Sequence, residues 1–171
     1  NQDKGFKHYY GMGLITSVFS DEEIQNLEGN MAIGHVRYST TGQSKVENSQ
    51  PFVIDFGDSF IAMAHNGDIV NSDELKKELM DEGFYFRSDS DSEVICYMLK
   101  KEHYDNNKDV LAAIEAVCKR LVGSYALTIL VDGKLYGVIY GKNGGGTNIT
   151  AFSHIYNFLT TPMVLGENSF A

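Results

Sequence analysis

Three groups of residues in this chain have types and spacing suited to one small polar ligand. Arg37 lies in Gly34-His35-Val36-Arg37-Tyr38-Ser39-Thr40-Thr41-Gly42, and a guanidinium can hold a carboxylate through a bidentate pair. Asp89 and Asp91 lie in Ser88-Asp89-Ser90-Asp91-Ser92-Glu93, where an aspartate can hold an ammonium. Between the two, Ala64-His65-Asn66-Gly67-Asp68 carries an Asn-Gly step whose donors can meet a developing oxyanion. A ligand with a carboxylate, an ammonium and a reactive carbonyl, as glutamine has, would use all three. No nucleophile accompanies them.

Each group also has an ordinary reading. Arg37 follows apolar Ile33 and Val36, where an unpaired guanidinium is costly, so a salt bridge to a nearby acid would serve as well as a ligand. Asn66-Gly67 at a strand end suits a plain hairpin turn, since both residues tolerate positive φ. Asp89 and Asp91 precede an apolar helical pattern and suit N-terminal capping beside the helix dipole. Glycosidase or metal chemistry would need partners at ligand spacing, and no His or Glu cluster supplies them. The five histidines are scattered and compose no Ser-His-Asp motif; His35 and His65 read as core residues or as supports behind a site. Gly144-Gly145-Gly146 lacks the Lys-Ser/Thr of a phosphate loop and reads as a linker.

Composition narrows the classes. A chain of 171 residues, 43% hydrophobic and 12% aromatic, can bury a core as one domain. A net charge of −9 argues against a nucleic-acid partner, which normally requires clustered Lys and Arg. No apolar run reaches membrane-spanning length, and residues 1–8 are polar rather than signal-like, so a cytoplasmic protein without a membrane partner is expected. Cys96 and Cys118 lack CxxC or His-rich spacing and fall inside helical patterns, as small core residues do.

The elements that would position these groups form an α+β layout. Gly11 to Phe19 reads as a strand, and Ser20 with Glu23 forms a capping-box signature for a helix through Leu27. Met31 to Tyr38 and Gln50 to Phe56 read as strands, with Ser59 to His65 as a hairpin return after Gly57-Asp58. A helix capped by Asn71 or Ser72 buries Leu75, Leu79 and Met80 and ends at Gly83. A second helix starts at Ser90, with Glu93 completing a capping box and Val94, Ile95, Met98 and Leu99 as its buried stripe. A third carries Val110, Leu111, Ile114, Val117, Cys118 and Leu121. Strands Tyr125 to Val131 and Lys134 to Tyr140 turn at Asp132-Gly133. Residues 141–171 show no clean period and read as an irregular, glycine-rich tail.

Taken in order, Gly11-Met12-Gly13-Leu14, the Arg37 segment, Asn48-Ser49-Gln50-Pro51-Phe52, Ala64-His65-Asn66-Gly67 and Ser90-Asp91-Ser92-Glu93-Val94-Ile95 resemble the glutaminase domain of the amidophosphoribosyltransferase family. The resemblance runs from about Gly11 to about Val138. It implies an N-terminal-nucleophile fold, a four-layer αββα sandwich of antiparallel sheets, here incomplete at its N-terminus. It further implies that Arg37 binds the glutamine carboxylate, with Tyr38, Thr40 and Thr41 shaping that end. Asp91 would bind the substrate ammonium, while the Asn66 side-chain amide and the Gly67 N–H would form the oxyanion hole. Ammonia would pass to a phosphoribosyltransferase domain of the same full-length chain, which makes phosphoribosylamine from phosphoribosylpyrophosphate in purine biosynthesis. No cofactor is implied within this domain. Mg2+ is expected in the phosphoribosyltransferase domain, an iron–sulfur cluster is left open, and a homo-oligomer is expected.

Two departures from the family pattern stand out. The family opens with an N-terminal cysteine, in Cys-Gly-Ile, that attacks the amide, whereas these residues open with Asn1-Gln2-Asp3. Internal Cys96 and Cys118 lack the free amino group that mechanism uses. After Tyr136-Gly137-Val138 the family's Arg-Asp-Pro element gives way to Ile139-Tyr140-Gly141 and the glycine-rich stretch, and Val164 to Phe170 resembles the family again. The organisation expected is a glutaminase domain over 1–140 followed by the tail over 141–171, the whole an inactive fragment of a longer amidotransferase. The alternatives are the glutaminase domain of glucosamine-6-phosphate synthase and a nucleophile-free glutamine-binding module.

Overall fold

The computed structural model describes residues 6–36, 45–57, 59–105, 109–140 and 148–152. Its centre is a five-stranded antiparallel sheet in sequential order, β1 (Phe52–Asp55), β2 (Phe60–Ile69), β3 (Gly123–Val131), β4 (Lys134–Tyr140) and β5 (Asn148–Phe152). Helices α3 (Ser72–Asp81), α4 (Asp91–Asp105) and α5 (Val110–Arg120) fall between β2 and β3, so a long helical excursion separates two strands that lie side by side. The α+β class is thus met. Among the described residues there is one sheet, with its helices.

Alternation along the strands decides which face those helices cover, because successive side chains of a strand point to opposite faces. Ile61, Met63 and His65 of β2 register with Val131, Ile129 and Leu127 of β3, and all six are buried. The five apolar ones pack with Val94, Ile95, Met98 and Leu99 of α4 and Ile114 and Val117 of α5 in one core cluster. α4 touches β1, β2, α3 and α5, which accounts for its burial on more than one side, Cys96 included. Each such aliphatic side chain contributes about 1.5–3 kcal/mol of transfer free energy.

Several local signals fold as their chemistry dictates. Ser20 and Glu23 make the reciprocal capping box at the start of α2 (Asp21–Asn26). Asp109 caps α5 through the Leu111 and Ala112 N–H groups. Asp132 and Gly133, at φ 50° and 67°, make the tight β3–β4 turn.

Other expectations are corrected. Gly11 to Phe19 is no strand: it holds bends and the one-turn helix α1 (Ile15–Val18). No strand among the described residues lies beside it to supply a ladder, and Met12, Leu14 and Ile15 are exposed. Met31 to Val36 keeps a strand's alternating burial but pairs with nothing in the sheet, and Arg37 and Tyr38 lie outside the described residues. Met80 and Leu111 are exposed rather than buried, at the margins of their helical stripes. The irregular tail expected from residue 141 is interrupted by β5, which pairs Asn148 to Phe152 with Ile139 to Leu135 of β4. The glycine-rich stretch over 141–147 lies outside the described residues, as do residues 153–171. Among the described residues no helix is long and apolar enough to cross a membrane.

Candidate functional site

The Asn66-Gly67 step does not turn the chain. It lies inside β2, opposite Ala126 and Tyr125 of β3, and pairing continues to Ile69 opposite Gly123. The reason is the missing side chain of Gly67. A Cβ built there would overlap the Ser124 carbonyl oxygen and stand 2.7 Å from Tyr125 Cα, and φ is +150°. The glycine therefore serves close approach of two backbones rather than reversal of one. Asn66 falls on the sheet face away from the helices, alternating with His65 and Gly67; its side chain is exposed and makes no hydrogen bond among the described residues.

Asp91, at the first position of α4, reaches β2 on both sides of this step. Its Oδ2 accepts a hydrogen bond from the Ile69 backbone N–H at 3.2 Å, and its Oδ1 is 3.5 Å from His65 Nδ1. Burial alone would raise the carboxyl pKa. The hydrogen bond and charge of His65, with the Ile69 and Ser92 N–H groups, outweigh that effect and hold it below the ordinary aspartate value. The carboxylate, with its side chain still 23% exposed, is thus fixed as an anion open to solvent.

Around this pair runs a network that the sequence did not announce. His65, with its side chain almost wholly buried, places Nδ1 3.1 Å from Ser92 Oγ. Gln50 accepts from the His65 backbone N–H at 2.6 Å and donates to Ser92 Oγ at 3.1 Å. His65 Nε2 has no hydrogen-bond partner among the described residues and lies 3.0 Å from where a Gly67 Cβ would sit. The only prior signals were the position of His65 beside Asn66 and the membership of Gln50 and Ser92 in conspicuous segments.

The Glu93 expectation is corrected as well. Its carboxylate does not close a capping box on Ser90 but folds the preceding loop, accepting from the Ser88 N–H at 2.7 Å, the Ser88 hydroxyl at 2.6 Å and the Arg87 N–H at 3.1 Å. Glu93 and Ser88 are both buried, and burying a carboxylate requires donors of this kind. Asp89, by contrast, is an exposed partner of Lys45 at 3.0 Å.

A cavity of about 800 Å³ lies between residues 6–36 and the sheet face away from the helices. Asn66, Gly67 and Asp91 do not line it, so it is not itself the candidate site. It meets the site's border through Lys45, Asn48 and Gln50, which hydrogen bond to Asp89, Ser92 and the His65 backbone. Arg37, Tyr38, Thr40 and Thr41 lie outside the described residues, though His35 and Val36 just before them line the same cavity. Among the described residues no group of three or more His, Cys, Asp or Glu side chains is placed to hold a metal. Burial pushes the Cys96 and Cys118 thiols up, and both are buried and free, the reverse of an activated nucleophile.

The chain matches the family described as "Glutamine amidotransferase domain" over residues 35–159. It is 53% identical over 128 residues to an amidophosphoribosyltransferase of Methanothermobacter thermautotrophicus, covering 75% of this chain and 27% of that protein. With the Lacticaseibacillus casei amidophosphoribosyltransferase it shares 35% identity over 79% of this chain and 69% of the other. Among solved structures, it superposes on the allosteric regulatory enzyme of purine biosynthesis with a TM-score of 0.69 at 32% identity, covering 81% of this chain and 31% of that one. The glutamine phosphoribosylpyrophosphate amidotransferase of B. subtilis, complexed with ADP and GMP, gives 0.66 at 34% identity, covering 74% and 27%. The chain spans little more than a quarter of the length of the archaeal relatives it matches. It belongs to the glutamine amidotransferase domain family, within the amidophosphoribosyltransferases.

Proposed function

We propose that this domain hydrolyses glutamine to glutamate and ammonia, and that the ammonia forms phosphoribosylamine from phosphoribosylpyrophosphate in a second, phosphoribosyltransferase domain of the same protein. The observation that carries this reading is the grip of Asp91 on β2, through His65 and Ile69, on either side of Asn66-Gly67. An anion kept charged beside a strand that requires glycine suits a substrate with an ammonium at one end and a carbonyl to be activated at the other.

In this reading Asp91 pairs with the α-ammonium of glutamine. Arg37 holds its carboxylate by a bidentate contact, with Tyr38, Thr40 and Thr41 around it. The Asn66 amide and the Gly67 N–H donate to the oxygen of the tetrahedral intermediate, contacts worth roughly 3–4 kcal/mol when formed at the transition state. The nucleophile is an N-terminal cysteine, outside these 171 residues, whose thiolate adds to the amide carbon while its own α-amino group carries the thiol proton to the departing ammonia; water then cleaves the resulting thioester, releasing glutamate and restoring the thiol. An α-amino group, with an ordinary pKa of about 8, suits that task near neutrality. The reading includes a cytoplasmic, homo-oligomeric enzyme whose Mg2+ serves the phosphoribosyltransferase domain.

The test is Arg37→Ala in the full-length enzyme. A strong rise in KM for glutamine is expected, while synthesis from free ammonia, which bypasses the site, is retained. Equal loss of both activities would contradict the assignment.

A further inference from the structure

Two parts of the proposed site come from elements far apart in the chain, the Asn66-Gly67 step within β2 and Asp91 in the first turn of α4. One carboxamide reaches both. Gln50, just ahead of β1, accepts from the His65 backbone N–H at 2.6 Å and donates from Nε2 to Ser92 Oγ at 3.1 Å. Ser92 is fully buried, and its hydroxyl lies 3.1 Å from His65 Nδ1 and 3.4 Å from Asp91 Oδ1. A carboxylate can only accept and an ammonium can only donate, whereas a primary amide does both on one planar group.

We propose that Gln50 is a positioning residue of the glutamine site, its single carboxamide fixing the strand that carries the oxyanion pair against the helix turn that carries Asp91. The inference rests on the roles given above to Asn66, Gly67 and Asp91. The His65 N–H that Gln50 holds belongs to the residue directly before Asn66, so this bond sets the backbone from which both oxyanion donors extend. The Ser92 hydroxyl that Gln50 supports belongs to the residue directly after Asp91, so the other half of the amide sets the ammonium end. Oxyanion contacts act only within a narrow distance range, and small misplacements are costly to turnover. A side chain governing both ends therefore affects kcat through its oxygen and KM through its nitrogen.

The test uses steady-state glutamine hydrolysis by the full-length enzyme. Gln50→Met, similar in length but without the amide, is expected to lower kcat about tenfold or more and to raise KM for glutamine, the scale set by leaving a buried donor unpaired. Gln50→Glu keeps the acceptor for the His65 N–H and loses the donor to Ser92; it is expected to recover most of the kcat loss but not the KM. In a Ser92→Ala background, Gln50→Met is expected to lower kcat as before and to add little to KM. Should Gln50→Met fail to fold, the comparison of Gln50→Glu with Ser92→Ala still separates the two halves of the amide. The proposal is overturned if Gln50→Met leaves both constants near the parent values while Asn66→Ala is impaired, or if Gln50→Glu and Gln50→Met lose kcat equally. If Asn66→Ala is also fully active, the reading of the site itself fails and this inference with it.

Discussion

Replacing Gly67 by alanine tests the geometry of the site without touching a charged group. The added methyl would overlap the Ser124 carbonyl oxygen and lie 2.7 Å from Tyr125 Cα and 3.0 Å from His65 Nε2, and two of these three neighbours are backbone atoms that cannot rotate away. Holding an alanine at φ +150° costs on the order of 1–3 kcal/mol, since that region is nearly exclusive to glycine. Forcing a methyl into packed surroundings costs about 1–3 kcal/mol more. The sum, about 2–6 kcal/mol, corresponds to a fall in Tm of roughly 4–24 °C for a domain of this size. Two other glycines separate the causes. Gly83 has φ +94° with nothing within 4 Å among the described residues, so Gly83→Ala should show only the backbone cost, about 1–2 kcal/mol. Gly137, in β4, has nothing within 4 Å among the described residues and no unusual φ, so Gly137→Ala should be neutral or stabilising by about 0.5–1 kcal/mol. The assay is thermal and urea unfolding followed by circular dichroism on the three variants and the parent. If Gly67→Ala melts no lower than Gly83→Ala, close approach of β3 is not what requires the glycine.

Two further substitutions test the surroundings. Because Asp91 is held below its ordinary pKa, it contributes stability that is fully present above the unfolded value of about 3.9 and lost as pH falls through the lower folded value. Urea unfolding of the parent and Asp91→Asn should therefore differ at pH 7 and converge under strong acid; a difference that grows on acidification refutes the direction of the shift. Glu93→Gln should destabilise by about 2–3 kcal/mol, because its new amide N–H₂ would face the Ser88 or Arg87 N–H donors, and a loss under about 0.5 kcal/mol would refute the loop-anchoring role.

What the sequence revealed divides by range. The capping box of Ser20 and Glu23, the Asp132-Gly133 turn and the buried stripe of α4 depend on residues a few positions apart, and all three were legible. Gly11 to Phe19 and Met31 to Val36 had strand-like patterns, but a strand also requires a neighbour, and no partner in the sheet takes them up. Taken locally, Asn66-Gly67 suits a turn as well as a site, because positive φ is local information; the approach of Ser124, 57 positions on, is not. Glu93 had the spacing of a capping box, yet burial made the Ser88 and Arg87 donors the stronger partners. β5 followed a glycine-rich stretch that masked its pairing with β4. At the site, residue type and family resemblance point to Asn66, Gly67 and Asp91. The hydrogen bonds that hold them, between Gln50 and Ser92 and between Asp91 and Ile69, join residues 42 and 22 positions apart and could only be seen in the folded chain.

Asn66 offers the most direct measurement, because its side chain is exposed and makes no hydrogen bond among the described residues, so Asn66→Ala should leave the fold intact. Glutamate release from glutamine by the full-length enzyme and by Asn66→Ala should be compared under saturating glutamine, with unfolding curves for both. If the Asn66 amide holds the oxyanion, kcat falls by about 10²–10³-fold with little change in stability. A variant that folds like the parent and releases glutamate at an undiminished rate would contradict the assignment of β2 as the catalytic strand.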